Sequence, residues 1–241
     1  MRSLRRGWRT RIRCAAGVAW AMACATACAG QTSIGGGGVT EGIRYLALGD
    51  SYTIGEGVAP EERWPAQLAA ALRSRGAGVA DPEIIARTGW TTDELDAAID
   101  QAAPHGPYGL VTLLIGVNDQ YRGGSAEAYR PRFEGLLRRA IGFAGGDASR
   151  VVVLSIPDWG VTPFAEGRDR ARIAREIDAF NAAARAVTAQ LGARWVDVTP
   201  ASREAGASAG MLVGDGLHPS GRQYARWAEL ALSAAAEAVG R

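Results

Sequence analysis

The chain has 241 residues, of which 47% are hydrophobic and 22% are charged, a composition that fits one globular domain with a sizeable core. It contains no lysine, which excludes a lysine base, a Schiff base and the lysine of a P-loop. All three cysteines lie in the first 28 residues, and the only histidines are His105 and His218. The rest of the chain therefore has no disulfide, cysteine nucleophile or cysteine zinc site, and a histidine base must be one of two residues.

The net charge of +2 comes from the N-terminal segment. Residues 1–27 contain six arginines and no acidic residue. Without this segment, 21 arginines stand against 25 acidic residues, a net charge of −4. A mildly acidic body with no run of basic residues does not predict nucleic-acid binding.

Residues 1–28 predict an export signal, because an arginine-rich start precedes a short apolar run. That run, Cys14 to Ala29, is shorter than the ~20 residues of a transmembrane helix. Ala25-Thr26-Ala27 fits a signal-peptidase site. With Cys28 it also resembles a bacterial lipobox, in which the cysteine is lipidated and attaches the protein to a membrane. Residues 29–42 are rich in glycine and predict a flexible linker. The protein is thus expected in the cell envelope, lipid-anchored or periplasmic, or secreted.

Strand-like apolar runs alternate with helical segments in residues 43–241, the predicted catalytic domain. The predicted strands are Tyr45–Leu48, Glu83–Ala86, Leu110–Ile115, Val151–Ile156 and Arg194–Val198. The predicted helices are Trp64–Arg75, one that opens at the Thr91/Glu94 capping box, Phe133–Ile141, about Asp169–Leu191, and one that starts near Ser220. A loop is predicted between the last strand and the last helix. This alternation predicts an α/β fold with one five-stranded parallel sheet and helices on both faces.

Polar residues follow the first three predicted strands, and a further pair precedes the last helix. They are Ser51, Gly89 and Asn118, with the pair Asp215 and His218. The carboxyl ends of parallel strands meet at one edge of a sheet, so these residues are expected to converge there. In acyl transfer, Ser51 would attack the carbonyl carbon and His218 would accept its proton. Asp215 would hold the imidazole in the correct tautomer.

A tetrahedral intermediate also needs hydrogen-bond donors for its oxyanion. The backbone amides of Ser51 and Gly89 and the side-chain amide of Asn118 are the candidates. Glycine suits this role because it has no Cβ to block the approach of a substrate to its backbone.

Four sequence blocks in this order resemble the SGNH hydrolases, a branch of the GDSL esterase/lipase family. The blocks are Gly49-Asp50-Ser51-Tyr52, Gly89, Gly116-Val117-Asn118-Asp119 and Asp215-Gly216-Leu217-His218. The resemblance implies a flavodoxin-like three-layer α/β/α sandwich, ester or thioester hydrolysis, and no metal or organic cofactor. The Gly-x-Ser-x-Gly elbow of α/β-hydrolases is absent, since Thr53 stands where its second glycine belongs.

Three aromatic residues fall on loops at the same predicted edge, where they either line the substrate site or pack against the core. They are Trp90, Tyr121 and Trp159. His105 has no acidic neighbour in its loop and is interpreted as a surface residue. Asp50 and Asp119 are expected to order their loops through hydrogen bonds and not to act chemically.

The sequence therefore predicts an exported serine esterase that hydrolyses a small-molecule, glycan or lipid acyl ester. The absence of a long apolar insertion favours short acyl groups. Lysophospholipids, acyl thioesters and acetylated carbohydrates fit the same four groups, as does acyl transfer to a sugar hydroxyl. A non-catalytic glycan-binding or lipid-binding module is the alternative from a different class. The sequence does not predict an oligomeric state.

Overall fold

The structure is a computed structural model that describes residues 42–240. The predicted export signal with Cys28, residues 29–41 of the predicted linker, and Arg241 lie outside the described residues. No helix within residues 42–240 is long and apolar enough to cross a membrane.

A five-stranded parallel sheet forms the centre of the described part of the chain. Its strands are β1 (Tyr45–Gly49), β2 (Glu83–Ala86), β3 (Leu110–Leu114), β4 (Val151–Leu154) and β5 (Arg194–Val196). They are arranged in the order β2-β1-β3-β4-β5, which is the flavodoxin-like order. The α/β fold predicted from the alternation of elements is confirmed.

Helices cover both faces of this sheet. They are α1 (Ser51–Ile54), α2 (Trp64–Ser74), α3 (Thr92–Ala102), α4 (Val117–Tyr121), α5 (Ala126–Phe143), α6 (Arg170–Leu191), α7 (Thr199–Ala205) and α8 (Gly221–Ala238). Helix α2 packs against α8, and α5 packs against α3 and α6. Every residue of β1, β3 and β4 is buried, as expected for central parallel strands between two helical layers.

The helix starts follow the capping residues in the sequence. The Thr91 side chain accepts a hydrogen bond from the Glu94 amide, and the Glu94 carboxylate accepts one from the Thr91 amide. Asp169 caps α6 and Ser220 caps α8 in the same way. Each side chain satisfies amides that have no partner within their own helix.

The short helices α1 and α4 were not predicted, and two further elements differ from the prediction. Helix α5 begins at Ala126, before the predicted Phe133, because the Ser125 side chain caps it and accepts a hydrogen bond from the Ala128 amide. The loop predicted after β5 contains helix α7. Ser155 Oγ donates to Asp197 Oδ1 at 2.9 Å and accepts from the amide of Thr199, the first residue of α7, at 3.1 Å. These bonds end the strand early and start a helical turn.

The end of β1 is crowded around Gly49. A Cβ atom built on Gly49 would lie 2.2 Å from Thr53 Oγ1 and 2.5 Å from the carbonyl oxygen of Leu114. Glycine is therefore required there to let the chain turn closely over β3. Gly135, in the middle of α5, would bring a Cβ within 4 Å of no other group.

We expect Gly49→Ala to lower the free energy of unfolding by about 1–3 kcal/mol, the usual cost of overpacking. Gly135→Ala is the matched control and should raise it by about 0.5–1 kcal/mol, because alanine favours a helix. Urea unfolding of both variants measures the two effects. Equal stability of Gly49→Ala and the unsubstituted protein would contradict the close approach described here.

Candidate active site

Ser51 stands at the turn from β1 into α1, and the turn is built by Asp50. The Asp50 side chain accepts a hydrogen bond from the Tyr52 amide at 3.0 Å. The backbone carbonyl oxygen of Asp50 accepts hydrogen bonds from the amides of Thr53 at 3.1 Å and Ile54 at 3.0 Å. Ser51 is the first residue of the helix and is 5% exposed. The turn therefore holds the serine in one position at the carboxyl edge of the sheet.

Asp215 and His218 form a compact loop immediately before α8. Asp215 Oδ1 accepts hydrogen bonds from the backbone amides of Leu217 at 2.8 Å and His218 at 3.0 Å. Its other oxygen, Oδ2, lies 2.6 Å from Nδ1 of the His218 ring. A carboxylate in that position favours a proton on Nδ1, which leaves Nε2 as an acceptor. The aspartate thus fixes both the backbone and the ring of His218.

Electrostatics keep Asp215 charged. Partial burial raises the pKa of Asp215, but the hydrogen bonds from the His218 ring and from the two backbone amides outweigh it, so that the pKa lies below its ordinary value. A carboxylate beside the imidazole also stabilises the imidazolium that forms when the ring accepts a proton.

Gly89 and Asn118 follow β2 and β3 and lie beside Ser51. Gly89 has a φ of +88°, a conformation that favours glycine. Among the described residues, the backbone N–H groups of Ser51 and Gly89 donate to no other group. The Asn118 side-chain nitrogen donates to the Trp90 carbonyl at 2.9 Å, which fixes the amide and leaves its second N–H available. Three N–H donors are therefore free at one edge of the sheet.

The two loops that carry these donors are tied together. Asp119 accepts hydrogen bonds from the Thr92 amide at 3.0 Å and from the Thr92 hydroxyl at 2.7 Å. Arg122 donates to the Gly89 carbonyl at 2.7 Å and forms an ion pair with Glu94 at 3.2 Å. Asp119 and Arg122 thus brace the loop after β2 against helix α4.

One cavity brings Ser51, Gly89, Asn118 and His218 together, while Asp215 lies behind His218 and does not line it. The volume of the cavity is about 160 Å³, less than the about 300–1,000 Å³ that is usual for sites that bind drug-sized molecules. The residues that line it are Ser51, Tyr52, Thr88, Gly89, Val117, Asn118, Tyr121, Trp159, Phe164, Leu217 and His218. No hydrogen bond between the side chains of Ser51 and His218 is found in the described part of the chain, although both face this cavity. Such bonds often tighten only when substrate binds.

The aromatic residues singled out from the sequence divide between two roles. Tyr121 and Trp159 line the cavity. Trp90 does not, because its side chain packs half-buried against the core, and its carbonyl is what reaches the site. Of the two roles left open for Trp90, packing is the one it takes.

The sequence did not predict that Phe164, Thr88 and Leu217 line the cavity. Thr88 is next to Gly89 and Leu217 is next to His218, while Phe164 lies on a loop at the same edge of the sheet. Their positions in the sequence were the only indication that they line the site.

His105 lies in an exposed loop, and its carbonyl accepts a hydrogen bond from Arg44 at 2.6 Å. Within residues 42–240, no group of three or more histidine or acidic side chains is arranged to hold a metal ion.

Comparison with known proteins agrees with this geometry. The family model of the GDSL-like lipase/acylhydrolase family matches residues 47–226, most of the chain. The chain belongs to that family. The match covers all four sequence blocks, and membership of this family makes the protein a hydrolase that acts on ester bonds. No curated protein matches the chain.

Solved structures of similar fold support the architecture of this family member. The crystal structure of TesA is 23% identical, with a TM-score of 0.62, and the match covers 79% of this chain and 97% of that chain. The esterase EstA from Pseudoalteromonas is 16% identical with a TM-score of 0.61, and the match covers 83% and 100% of the two chains. A mutant of Axe2, an acetyl-xylooligosaccharide esterase from Geobacillus, is 18% identical with a TM-score of 0.60, and 83% and 95% are covered. At these identities the likeness establishes the shared fold.

Asp50 is the most unusual titratable group of the family's first block. Its carboxyl group is fully buried, and its Oδ2 has no hydrogen-bond partner in the described residues. Burial raises the pKa of Asp50 to about 8; the Tyr52 amide lowers it and the nearby Asp119 carboxylate raises it. The group is therefore largely protonated at neutral pH, and it supports the Ser51 turn without placing a full charge beneath it.

We expect Asp50→Asn to become more stable relative to the unsubstituted protein as the pH rises from about 4 to about 8. In that window the folded state holds a proton that the unfolded state has released, so stability falls as the pH rises. Asparagine has nearly the same shape and does not titrate. The difference in free energy of unfolding should grow by up to about 1.4 kcal/mol per pH unit. Urea unfolding at several pH values measures it, and a difference that is constant with pH would contradict a buried neutral carboxyl.

Proposed function

We propose that this member of the family is an exported serine esterase that hydrolyses short-chain acyl esters through Ser51, His218 and Asp215. The hydrogen bond between Asp215 and His218 Nδ1 is the main support. It turns one of only two histidines in the chain into an oriented base. That base lines the same cavity as a serine at the end of β1. A nucleophile, its base and an orienting carboxylate are the parts that covalent acyl transfer requires.

In the first half of the reaction, Ser51 Oγ attacks the carbonyl carbon of the ester while His218 Nε2 accepts the hydroxyl proton. The resulting oxyanion accepts hydrogen bonds from the Ser51 and Gly89 amides and from the Asn118 side chain. Collapse of the tetrahedral intermediate breaks the bond to the alcohol oxygen, and His218 returns the proton to that oxygen. The products are a free alcohol and an acyl group bonded to Ser51.

In the second half, a water molecule replaces the alcohol. His218 accepts a proton from the water as its oxygen attacks the acyl carbon, and the same donors hold the oxyanion. Collapse releases the carboxylic acid, and the proton passes from His218 to Ser51 Oγ, which restores the starting state. This step breaks the ester bond between the acyl group and Ser51. The complete reaction consumes only the substrate ester and one water molecule.

A small acyl group fits the surroundings of Ser51 best. The serine is nearly buried, and Val117, Leu217 and aromatic side chains stand around it. The Axe2 enzyme of similar fold is an acetyl-xylooligosaccharide esterase, which also favours a small acyl group. Lysophospholipids, thioesters and acetylated glycans remain members of the substrate class that this chemistry covers.

Export is the second part of the proposal and rests on residues 1–28. An arginine-rich start, a short apolar run and a cleavage site before Cys28 support it. Lipidation of Cys28 would attach the enzyme to a membrane, with residues 29–42 as the linker.

We expect Ser51→Ala and His218→Ala each to lower kcat for 4-nitrophenyl acetate by about 10⁶, as in serine hydrolases of known mechanism, while the fold persists. Wild-type protein should be labelled at Ser51 by a fluorophosphonate probe, and His218→Ala should not be labelled. His105→Ala is the matched control and should keep both activity and labelling. Full activity of purified Ser51→Ala would disprove the mechanism, and no labelling and no turnover of any ester by the wild type would favour a binding module.

Asp215→Asn should lower kcat by about 10⁴, less than the loss of His218. Its oxygen can still accept from the backbone amides of Leu217 and His218, but its NH2 group then faces Nδ1. That arrangement favours a proton on Nε2, which cannot accept the serine proton. Steady-state kinetics of the three variants on one ester measure the order. A loss for Asp215→Asn as large as for His218→Ala would show that Asp215 does more than orient the ring.

A further inference from the structure

An aromatic cluster forms one side of the cavity. We call Tyr121, Trp159 and Phe164 the aromatic rim. Their ring centroids lie 5.3 Å apart for Tyr121 and Trp159, 6.0 Å for Trp159 and Phe164, and 6.2 Å for Tyr121 and Phe164. Trp159 is buried, whereas Tyr121 is 44% and Phe164 39% exposed. The rim therefore extends from the interior of the cavity to solvent.

A single guanidinium group lies over all three rings. The Arg168 Cζ atom is 5.1 Å from the ring centroid of Tyr121 and 5.3 Å from those of Trp159 and Phe164. Its Nη2 donates to the Tyr121 hydroxyl at 3.1 Å. Three cation–π contacts and one hydrogen bond hold the charge over the aromatic rim, next to the cavity but outside its lining residues.

The charge on Arg168 is not neutralised within the described part of the chain, because no carboxylate there forms an ion pair with it. Arg122, the residue after α4, is by contrast paired with Glu94. The Tyr121 hydroxyl uses one of the five N–H donors of Arg168. The remaining donors are available to an anion.

The segment that carries Arg168 is held against the loop of His218. The Phe164 amide donates to the Gly216 carbonyl at 3.1 Å, and the Arg168 amide donates to the Ala165 carbonyl at 3.1 Å. Gly216 lies between Asp215 and His218. The guanidinium therefore occupies a defined position relative to the candidate base, which lowers the entropy lost when a ligand binds.

We propose that Arg168 binds an anionic group of the ester substrate, a carboxylate or a phosphate, while the aromatic rim contacts the carbon skeleton between that group and the ester bond. This inference rests on the proposed function and narrows its substrate class. Thr88 lines a different part of the cavity wall, and its hydroxyl donates a hydrogen bond to the Glu56 carboxylate. The negative charge of Glu56 would repel an anion from the Thr88 side of the cavity. The two charges together direct the anionic group towards Arg168.

The opposing explanation is that Arg168 only covers apolar surface, as long basic side chains often do. The two explanations differ in one measurable quantity, the ratio of kcat/KM for an anionic ester to that for its neutral counterpart. Loss of packing lowers both values together. Loss of an anion contact lowers the ratio.

The test compares wild type, Arg168→Gln and Arg75→Gln on matched anionic and neutral esters at fixed ionic strength. For the alcohol side, 4-acetoxybenzoate and 4-acetoxyphenyl phosphate are compared with methyl 4-acetoxybenzoate. For the acyl side, mono-4-nitrophenyl glutarate is compared with its methyl ester. Arg75, an exposed residue after α2 that does not line the cavity, is the control for the change in charge.

We expect Arg168→Gln to lower the ratio by about tenfold or more in at least one arm, mainly through KM, as is usual for a charge-assisted hydrogen bond. Arg75→Gln should leave the ratio at its wild-type value. The carboxylate and phosphate arms identify which anion is preferred. If the wild type hydrolyses the neutral esters and Arg168→Gln has the same ratio of kcat/KM as the wild type, this inference is overturned while the proposed function stands. Failure of the wild type to hydrolyse any of the esters would overturn the proposed function together with it.

Discussion

The parallel pairing of β1 with both β2 and β3 is the constraint on which the site depends. In the register of the sheet, Gly49 lies beside Ala86 on one side and Leu114 on the other. The three strands therefore end level with one another. Ser51, Gly89 and Asn118 follow these ends after two, three and four residues, so segments far apart in the sequence present their N–H groups to one small volume. A slip in strand register would separate Ser51 from Gly89 and Asn118.

Hydrogen bonds between the segments after β2 and β3 orient the groups that the strand ends bring together. The strand ends bring Gly89 and Asn118 close, but their orientation comes from bonds between the two loops, in which Asp119, Arg122 and the Trp90 carbonyl take part. Donors that are fixed in advance stabilise a developing charge without having to reorganise. Asp50 and Asp119 thus act through structure, while Asp215, which is more exposed and has a lowered pKa, is the acidic residue suited to stay ionised beside His218.

The fold and the main site residues follow from the sequence because both depend on local patterns. Short apolar runs mark the strands, and the capping residues Thr91 and Ser220 mark the starts of two helices. The block Asp215-Gly216-Leu217-His218 places an aspartate and a histidine within one turn. Interactions between distant segments were not predictable. The cap at Ser125, helix α7 and the place of Phe164 on the cavity wall depend on contacts that no periodicity records. Trp90 shows the same limit, since only the packing decides whether its ring or its carbonyl reaches the site.

Two sides of the cavity differ in the groups that line them. In the proposed mechanism, backbone amides, one imidazole and one side-chain amide act on the ester bond, and these groups would serve any acyl ester. The rim of Tyr121, Trp159 and Phe164, with Arg168 above it, lies after β3 and β4, and its side chains take no part in the proposed chemistry. The Phe164 amide donates to the Gly216 carbonyl at 3.1 Å, so the segment that carries part of the rim packs against the loop of His218. Because the bond is made by the backbone, a substitution of the Phe164 side chain that leaves the backbone in place keeps this contact.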